Sequence, residues 1–273
     1  MTINIKGELI DLSKPKIMGI LNLTPDSFYD GGKYNKVESA LKQTDSMIEA
    51  GANFIDLGAY STKPGAKPVS VEVEKKRLLP ILEKLTKTNP KTHFSIDTFR
   101  STIAAEALDR GAALINDISG GQFDNKMMNT VGNYNVPYVL MHTSGKPEIM
   151  QKNPRYKNVV KEVTYYFSNK IQSAYKAGIN DIIIDPGFGF GKTISHNYEI
   201  LKNLEFFQNF ELPLMIGLSR KSMIYKKLGI SPGKSLNGTT ILNTVALIKG
   251  ANIMRVHDVK QAKECADLLQ ALR

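Results

Sequence analysis

The stretch EAGANFID, residues 49–56, indicates the fold, because it joins the end of a helix to the start of a strand through one glycine. Glycine at such a junction supplies the left-handed cap from which the chain turns into a sheet. The same arrangement recurs three more times, as DRGAALIND at 109–117, KAGINDIIID at 176–185 and KGANIMRVH at 249–257. A repeated helix–glycine–strand junction is typical of a parallel sheet whose strands alternate with helices.

Eight short strand-like runs alternate with amphipathic helical segments along the chain. The runs are mostly apolar, as expected for strands that helices cover. Eight such units in 273 residues predict an α/β fold, a single (β/α)₈ TIM barrel over residues 1–273 with its active site at the C-terminal ends of the strands, rather than a doubly wound open sheet. SRKSMIYKKLG, residues 219–229, is interpreted as a short extra helix. The predicted strands are KIMGILN (16–22), NFIDLG (53–58), HFSID (93–97), ALIND (113–117), PYVLMH (137–142), IIIDPG (182–187), PLMIGLS (213–219) and IMRVH (253–257).

The composition is that of an ordinary globular protein, with 42% hydrophobic and 23% charged residues. The formal net charge of +10 comes from scattered lysines and arginines, without the charge blocks or paired aromatics of nucleic-acid binders. No apolar run approaches the ~20 residues of a membrane span, and the N-terminus lacks the basic-then-apolar layout of a secretion signal. We therefore expect a cytoplasmic protein that binds neither nucleic acid nor membrane. The single cysteine, Cys265, is expected to pack in the core.

A glycine-rich stretch follows the sixth predicted strand, in IIIDPGFGFGKT at 182–193. It ends like a Walker-type phosphate loop, but Pro186 occupies the position of that motif's first glycine. The dinucleotide pattern GxGxxG also fails, because Lys192 stands where its last glycine belongs. The stretch therefore predicts no nucleotide site. Asp185, the acid at the end of the apolar run, therefore needs another role. Lys192 is expected to support its neighbours or to face solvent.

All eight predicted strands end in polar or charged residues, which core packing alone would not require. A carboxylate accepts two parallel N–H bonds from the edge of an amino-azine ring, so paired acids suit a flat, nitrogen-rich heterocycle. Asp97 and Asp185 are candidates for that edge, whereas Asp56 is expected to brace the loops. The strand ends are Asn22, Asp56, Asp97, Asn116, His142, Asp185, Ser219 with Lys221, and Arg255 with His257.

The other polar strand ends suit a phosphate group. Asn22, Lys63, Arg255 and His257 are candidates for gathering it, with a metal ion. The four histidines have no paired ligand spacing, so zinc is not expected. Mg²⁺ held by one amide oxygen and by substrate phosphates fits these residues better.

Seven motifs in this order resemble the dihydropteroate synthase family and cover most of the chain. Together they are far more specific than any one of them. They are GILNLTPDSFYDGG (19–32), STKPGA (61–66), SIDTFR (95–100), INDISGG (115–121), DPGFGFGKT (185–193), GLSRKS (217–222) and RVHDV (255–259).

The resemblance implies that 6-hydroxymethyl-7,8-dihydropterin pyrophosphate condenses with 4-aminobenzoate to give 7,8-dihydropteroate and pyrophosphate in folate biosynthesis. It implies a homodimer, Mg²⁺ on Asn22 and a dissociative departure of pyrophosphate. The implied pterin site is Asp97, Asn116, Asp185, Lys221 and Arg255. The implied pyrophosphate site is Asn22, Lys63, Arg255 and His257. The implied aminobenzoate site is Phe28, Thr62, Pro64, Phe190, Ser219 and Ser222. The implied catalytic residues are Lys221, Arg255, His257, Asp97 and Asp185.

Two positions depart from the family pattern. Lys63 stands where relatives usually have arginine, so the charge is kept but the bidentate fork is lost. Tyr60 lies in GAYST, where many relatives read GGEST. Three alternatives remain: a pterin-binding methyltransferase barrel, an inactive paralogue that binds pterin, and a non-catalytic nucleic-acid binder, which the scattered charge does not favour.

Overall fold

The fold is a nearly closed barrel of eight parallel strands surrounded by helices, as predicted. The structure, a computed structural model, describes residues 1–24, 33–61 and 68–272. The strand order is β8-β7-β6-β5-β4-β3-β10-β9, and a parallel bridge between Ile184 and Leu214 brings β8 beside the start of β9. The strands are β1 Thr2–Ile5, β2 Glu8–Asp11, β3 Lys16–Asn22, β4 Phe54–Gly58, β5 His93–Asp97, β6 Leu114–Asp117, β7 Tyr138–Met141, β8 Ile182–Asp185, β9 Met215–Ile216 and β10 Ile253–Val256.

The helices cover the outside of the barrel between its strands. The predicted extra helix is present as α7, and Pro186 follows the last residue of β8. The α-helices are α1 Lys33–Glu49, α2 Val71–Thr88, α3 Ser101–Asp109, α4 Met127–Tyr134, α5 Val159–Lys176, α6 Ile194–Lys202, α7 Ser222–Leu228, α8 Leu236–Ile248 and α9 Val259–Gln270. Two 3₁₀ helices lie at Leu204–Phe210 and Pro232–Lys234. Among the described residues, no helix has the length and apolar character needed to cross a bilayer.

The four repeated junctions adopt the predicted geometry. Each glycine has a positive φ between 84° and 96°, which an L side chain rarely adopts. They are Gly51, Gly111, Gly178 and Gly250. Core packing is also confirmed for Cys265, which is buried, and the strand residues Met18, Met141, Met215 and Met254 are buried as well.

The barrel strands carry two different faces because side chains alternate along a strand. One face packs outward against the helices, as Ile55, Leu57 and Ile96 do. The other points into the barrel, where seven apolar side chains near the strand starts form a separate cluster. This inner layer is Met18, Phe54, Leu114, Val139, Ile183, Met215 and Ile253.

An N-terminal hairpin, which the sequence analysis did not predict, packs on this inner layer. β1 and β2 pair antiparallel through a two-residue turn at Lys6 and Gly7, both with positive φ, as a type I′ turn requires. Ile3, Ile5 and Leu12 are buried against the inner layer. The hairpin therefore closes the N-terminal end of the barrel and leaves the C-terminal end for a site.

Candidate active site

On four of the seven strands that form the apolar layer, the inward residue two positions further along is polar. Asp56 follows Phe54, Asn116 follows Leu114 and Asp185 follows Ile183, each in the same strand and on the same face. Arg255 follows Ile253 in the same way. The alternation that builds an apolar floor therefore also sets a polar layer directly above it.

Arg255 lies at the centre of a buried hydrogen-bond network. Its Nε donates to Asp56 Oδ2 at 2.6 Å, and its Nη2 donates to Asp97 Oδ2 at 2.7 Å. Asn116 Nδ2 donates to the same Asp56 oxygen at 2.9 Å. Asp56, expected to brace the loops, instead holds two side chains of the site in place.

Two acceptors of this network are left without partners. Asp56 Oδ1 and Asn116 Oδ1 are buried, and neither has a hydrogen bond within the described residues. A buried polar atom without a partner costs about 1–3 kcal/mol. A ligand that presents N–H donors to this point would recover that cost.

Asp97 is held in an unusual electrostatic state. Burial raises the pKa of its carboxyl to about 7, against the opposing charge of Arg255, and the Asp56 carboxylate raises it further. Near neutral pH its protonation therefore responds to a bound ligand, which is common at functional sites.

Asp185 and Lys221 form the second part of the site. Burial raises the pKa of Asp185, and Lys221 opposes this. Desolvation lowers the pKa of Lys221 to about 8, although the Asp185 charge raises it. Lys221 Nζ donates to the carbonyl of Phe188 and lies 4.6 Å from the centre of the Phe190 ring. The pterin and aminobenzoate candidates are therefore neighbours.

Ser219 and His257 form the third part of the site. His257 Nδ1 lies 3.2 Å from Ser219 Oγ, and the His257 backbone N–H donates to the same oxygen at 3.3 Å. The His257 ring is exposed at the mouth, yet the surrounding protein desolvates it and Arg255 repels a proton, so its pKa is lowered to about 4. Ser222 is the first residue of α7 and is half-buried.

The glycine-rich stretch folds around a lysine and not around a phosphate. Gly187, Gly189 and Gly191 all have positive φ, and the carbonyls of Gly187 and Phe190 both accept from Lys192 Nζ at 3.0 Å. A Walker-type loop points N–H groups inward, whereas this loop points carbonyl oxygens inward. Lys192 is buried and supports its neighbours, which is one of the two positions expected from the sequence.

His142 ends a strand but lies on the outward face. Val139 and Met141 point inward by alternation, which turns His142 away from the barrel axis and toward α5, where it meets Tyr166 edge to face. Asp117 is likewise outward and accepts from Tyr138 at 2.6 Å. A polar residue at a strand end therefore belongs to the site only when the alternation along its strand points the side chain into the barrel.

Asn22 is the described residue that fits a metal ion. Asn22 Oδ1 and Asp97 Oδ2 both lie within 4 Å of the position that a Cβ on Gly58 would take, so the amide oxygen borders the site. Among the described residues no group of three or more His, Cys, Asp or Glu side chains could hold a metal. One amide oxygen suits Mg²⁺, which keeps waters and substrate phosphates as its other ligands.

Four predicted site residues lie outside the described residues. They are Phe28, Thr62, Lys63 and Pro64.

Comparisons with known proteins agree with the resemblance. A family model described as "Pterin binding enzyme" matches residues 18–257. The dihydropteroate synthase of Escherichia coli strain K12 is 42% identical over 273 residues, which cover 99% of this chain and 96% of that protein. These relatives favour a synthase over the methyltransferase alternative.

Solved structures are similar over the whole chain. The Yersinia pestis dihydropteroate synthase in complex with a sulfonamide drug has a TM-score of 0.94 and 40% identity, covering 100% of this chain and 99% of that one. The Xanthomonas albilineans dihydropteroate synthase with 4-aminobenzoic acid has a TM-score of 0.93 and 35% identity, covering 99% and 97%.

Proposed function

The chain belongs to the dihydropteroate synthase family, and on that premise we propose how its residues divide the reaction between them. The substrates are 6-hydroxymethyl-7,8-dihydropterin pyrophosphate and 4-aminobenzoate, and the products are 7,8-dihydropteroate and pyrophosphate. The observation that carries the proposal is the pair of buried, unpartnered acceptors beside Asp97 and Arg255.

The pterin ring binds in the polar layer. Its amino and ring N–H groups donate to Asp97, Asp185 and the free Asn116 Oδ1, which thereby gains a partner. Lys221 donates to a ring acceptor from the other side. The planar guanidinium of Arg255, fixed by Asp56 and Asp97, stacks on the ring face.

The pyrophosphate binds at the mouth, where Asn22, Arg255 and His257 lie, and Lys63 is its fourth proposed ligand. His257 is neutral at pH 7 because its pKa is about 4, so it contributes a hydrogen bond rather than a charge before substrate binds. Asn22 would hold Mg²⁺ together with pyrophosphate oxygens, and the ion would supply positive charge to the leaving group.

The aminobenzoate binds between the Phe190 ring and the Ser219–Ser222 turn, with Phe28, Thr62 and Pro64 completing the site. Ser222 opens α7, where backbone N–H groups favour a carboxylate. This places the amine of aminobenzoate toward Lys221 and the pterin.

The chemical step is a substitution at the exocyclic carbon of the pterin. The C–O bond to pyrophosphate breaks and its electron pair leaves with the pyrophosphate. The carboxylates of Asp97 and Asp185 stabilise the positive charge that develops on the pterin. The amine nitrogen of 4-aminobenzoate then forms the C–N bond and releases a proton. An aniline is a modest nucleophile, which favours this dissociative order.

The test is pyrophosphate release from the purified protein, with and without 4-aminobenzoate, each with Mg²⁺ or with a chelator. We expect release that requires Mg²⁺ and dihydropteroate only when 4-aminobenzoate is present. Pterin binding without release would contradict the synthase proposal and leave an inactive paralogue, while methyl transfer to a corrinoid protein would identify the methyltransferase.

We further propose a homodimer formed through helices of the C-terminal half. Ile241 and Ile248 are more than half exposed, and with Val245 they follow a helical spacing on one face of α8. An exposed apolar stripe of this kind is typical of an interface. Sedimentation should give a dimer for the wild type and a monomer for Ile241→Glu combined with Ile248→Glu, whereas Tyr165→Glu on α5 should stay dimeric.

The cytoplasm is the proposed location. Folate precursors and pyrophosphate esters are charged metabolites that do not cross membranes freely, so an enzyme that condenses them fits that compartment. Fractionation of cells that express the chain would test this, and recovery in a membrane or secreted fraction would contradict it.

A further inference from the structure

Lys192 is the one cationic residue of the glycine-rich stretch 185–193, and the reaction described above does not use it. Its side chain is 3% exposed. Its Nζ contacts four acceptors: His142 Nδ1 at 2.8 Å, the carbonyls of Gly187 and Phe190 at 3.0 Å, and the carbonyl of His142 at 3.3 Å. Lys192 Nζ therefore links the glycine-rich loop to His142 at the end of β7.

The four partners are uncharged. Burial lowers the pKa of His142 to about 2, and the Lys192 charge lowers it further, so the imidazole is neutral and its Nδ1 accepts. Burial also lowers the pKa of Lys192 well below its ordinary value, while Asp185 opposes this. Keeping such a group inside the protein is costly unless its hydrogen bonds are satisfied, and here they are.

The loop that Lys192 holds contacts Lys221, one of the proposed catalytic residues. The carbonyl of Phe188 accepts from Lys221, and the Phe190 ring lies beside the same ammonium. Gly189 is tied at both ends, since its N–H donates to Asn197 at 2.7 Å and its carbonyl accepts from Gln151. The Lys192 contacts therefore fix the turn that carries Phe190.

We propose that Lys192 is a positioning residue for the aminobenzoate subsite, acting through the 186–191 loop on Phe190 without touching substrate. The inference rests on the proposed function. It affects the two substrates unequally, because Phe190 of this loop walls the aminobenzoate subsite, whereas the acid and amide groups that hold the pterin belong to strands β5, β6 and β8. Lys221 contacts the loop, but its backbone is held by the start of α7.

The experiment replaces Lys192 with methionine, which keeps the length and removes the donor. We expect the KM for 4-aminobenzoate to rise at least about tenfold, while the Kd of 6-hydroxymethylpterin, measured by calorimetry, stays within about threefold. Lys192→Arg keeps the positive charge, but a guanidinium cannot direct all its donors from one nitrogen atom. We therefore expect a smaller rise in the KM for 4-aminobenzoate, again without a change in pterin binding. Lys6→Met is the matched control, because Lys6 donates to the carbonyl of Gly111 at 2.7 Å in the opposite end of the barrel.

The outcomes separate the inference from the proposed function. Equal shifts for both substrates, or a KM that Lys192→Met leaves unchanged, would overturn the positioning role while the wild type still turns over. If Lys192→Met does not fold, Lys192→Arg must show the selective rise, and its absence would overturn the role as well. A wild type that binds 6-hydroxymethylpterin but never forms dihydropteroate would overturn the proposed function and the inference with it.

Discussion

Asp56 is the residue on which the polar layer depends. One of its oxygens accepts from both Arg255 and Asn116, so it positions a cation and an amide that belong to two other strands. It is fully buried, so its charge is compensated by these donors and not by water.

Asp56→Asn removes the charge and keeps the shape. We expect a loss of about 2–3 kcal/mol in the free energy of unfolding, because Arg255 keeps only Asp97 as a charged partner. We also expect at least about tenfold weaker binding of 6-hydroxymethylpterin, because Arg255 and Asn116 lose their shared anchor. Urea unfolding and calorimetry measure the two effects.

Glu83→Gln is the control for this prediction. Glu83 pairs with Lys87 on the exposed surface of α2, where such pairs contribute about 0–1 kcal/mol. Equal losses for the two variants would show that Asp56 contributes nothing beyond an ordinary surface charge.

The pH dependence follows from two residues whose pKa values approach neutrality. Below about 7 Asp97 takes up a proton and loses acceptor strength for the pterin, and above about 8 Lys221 loses its charge. The ratio kcat/KM for the pterin substrate should therefore rise through pH 7 and fall above pH 8.

Lys221→Arg tests the alkaline side of this profile. Arginine stays charged at every accessible pH, so the fall above pH 8 should disappear even if the maximum is lower. A fall that persists in this variant would assign the alkaline limb to another group.

At the scale of elements, the turn after β8 determines the shape of the site. Gly187 has φ of 69°, and a Cβ there would overlap the backbone carbonyl of His142, which directly follows β7 and donates its N–H to the carbonyl of Asp185 at 2.9 Å. Neither the positive φ nor the available space at position 187 allows a residue other than glycine. The turn after β8 therefore depends on Gly187.

Gly187→Ala and Gly229→Ala form a matched pair at this scale. Gly229 caps α7 with φ of 66°, but nothing lies within 4 Å of its Cβ position. We expect Gly229→Ala to cost about 1 kcal/mol for the left-handed conformation, and Gly187→Ala to cost at least about 2 kcal/mol more through the overlap. Equal urea midpoints would contradict a close approach at Gly187.

Much of the element layout was predictable because each signal is local. Glycine caps, strand-like runs and the extra helix α7 all depend on a few adjacent residues. The enclosure of Lys192 depends on the shape of its own loop and on His142, which lies 50 residues away at the end of β7, and a linear pattern does not bring these two segments together. A buried lysine has no sequence signal of its own, so the sequence leaves a supporting position and a solvent-facing one both open.

At the scale of the molecule, the residues that stabilise the barrel and the residues proposed to bind substrate lie at opposite ends of its axis. Its N-terminal end is filled by the hairpin and the apolar layer, and its C-terminal end carries the acids and cations. The hairpin has a local signal, since Ile3 and Ile5 alternate with polar residues before Lys6-Gly7. The barrel strands are as short, but they recur with helices between them, whereas the hairpin occurs once. That the whole chain is one domain stays a prediction.

Ile5→Ala tests this separation. Ile5 is buried against the inner layer, and a large-to-small change in a core costs about 2–5 kcal/mol. Leu9→Ala, in the same hairpin but 68% exposed, should change the free energy of unfolding by no more than about 0.5 kcal/mol. Both variants should keep kcat and both KM values within about twofold of the wild type below their unfolding temperatures, because neither side chain reaches the strand ends that bind substrate. A selective loss of activity in folded Ile5→Ala would show that the hairpin transmits its packing to the site, and the two ends of the barrel would then be coupled rather than independent.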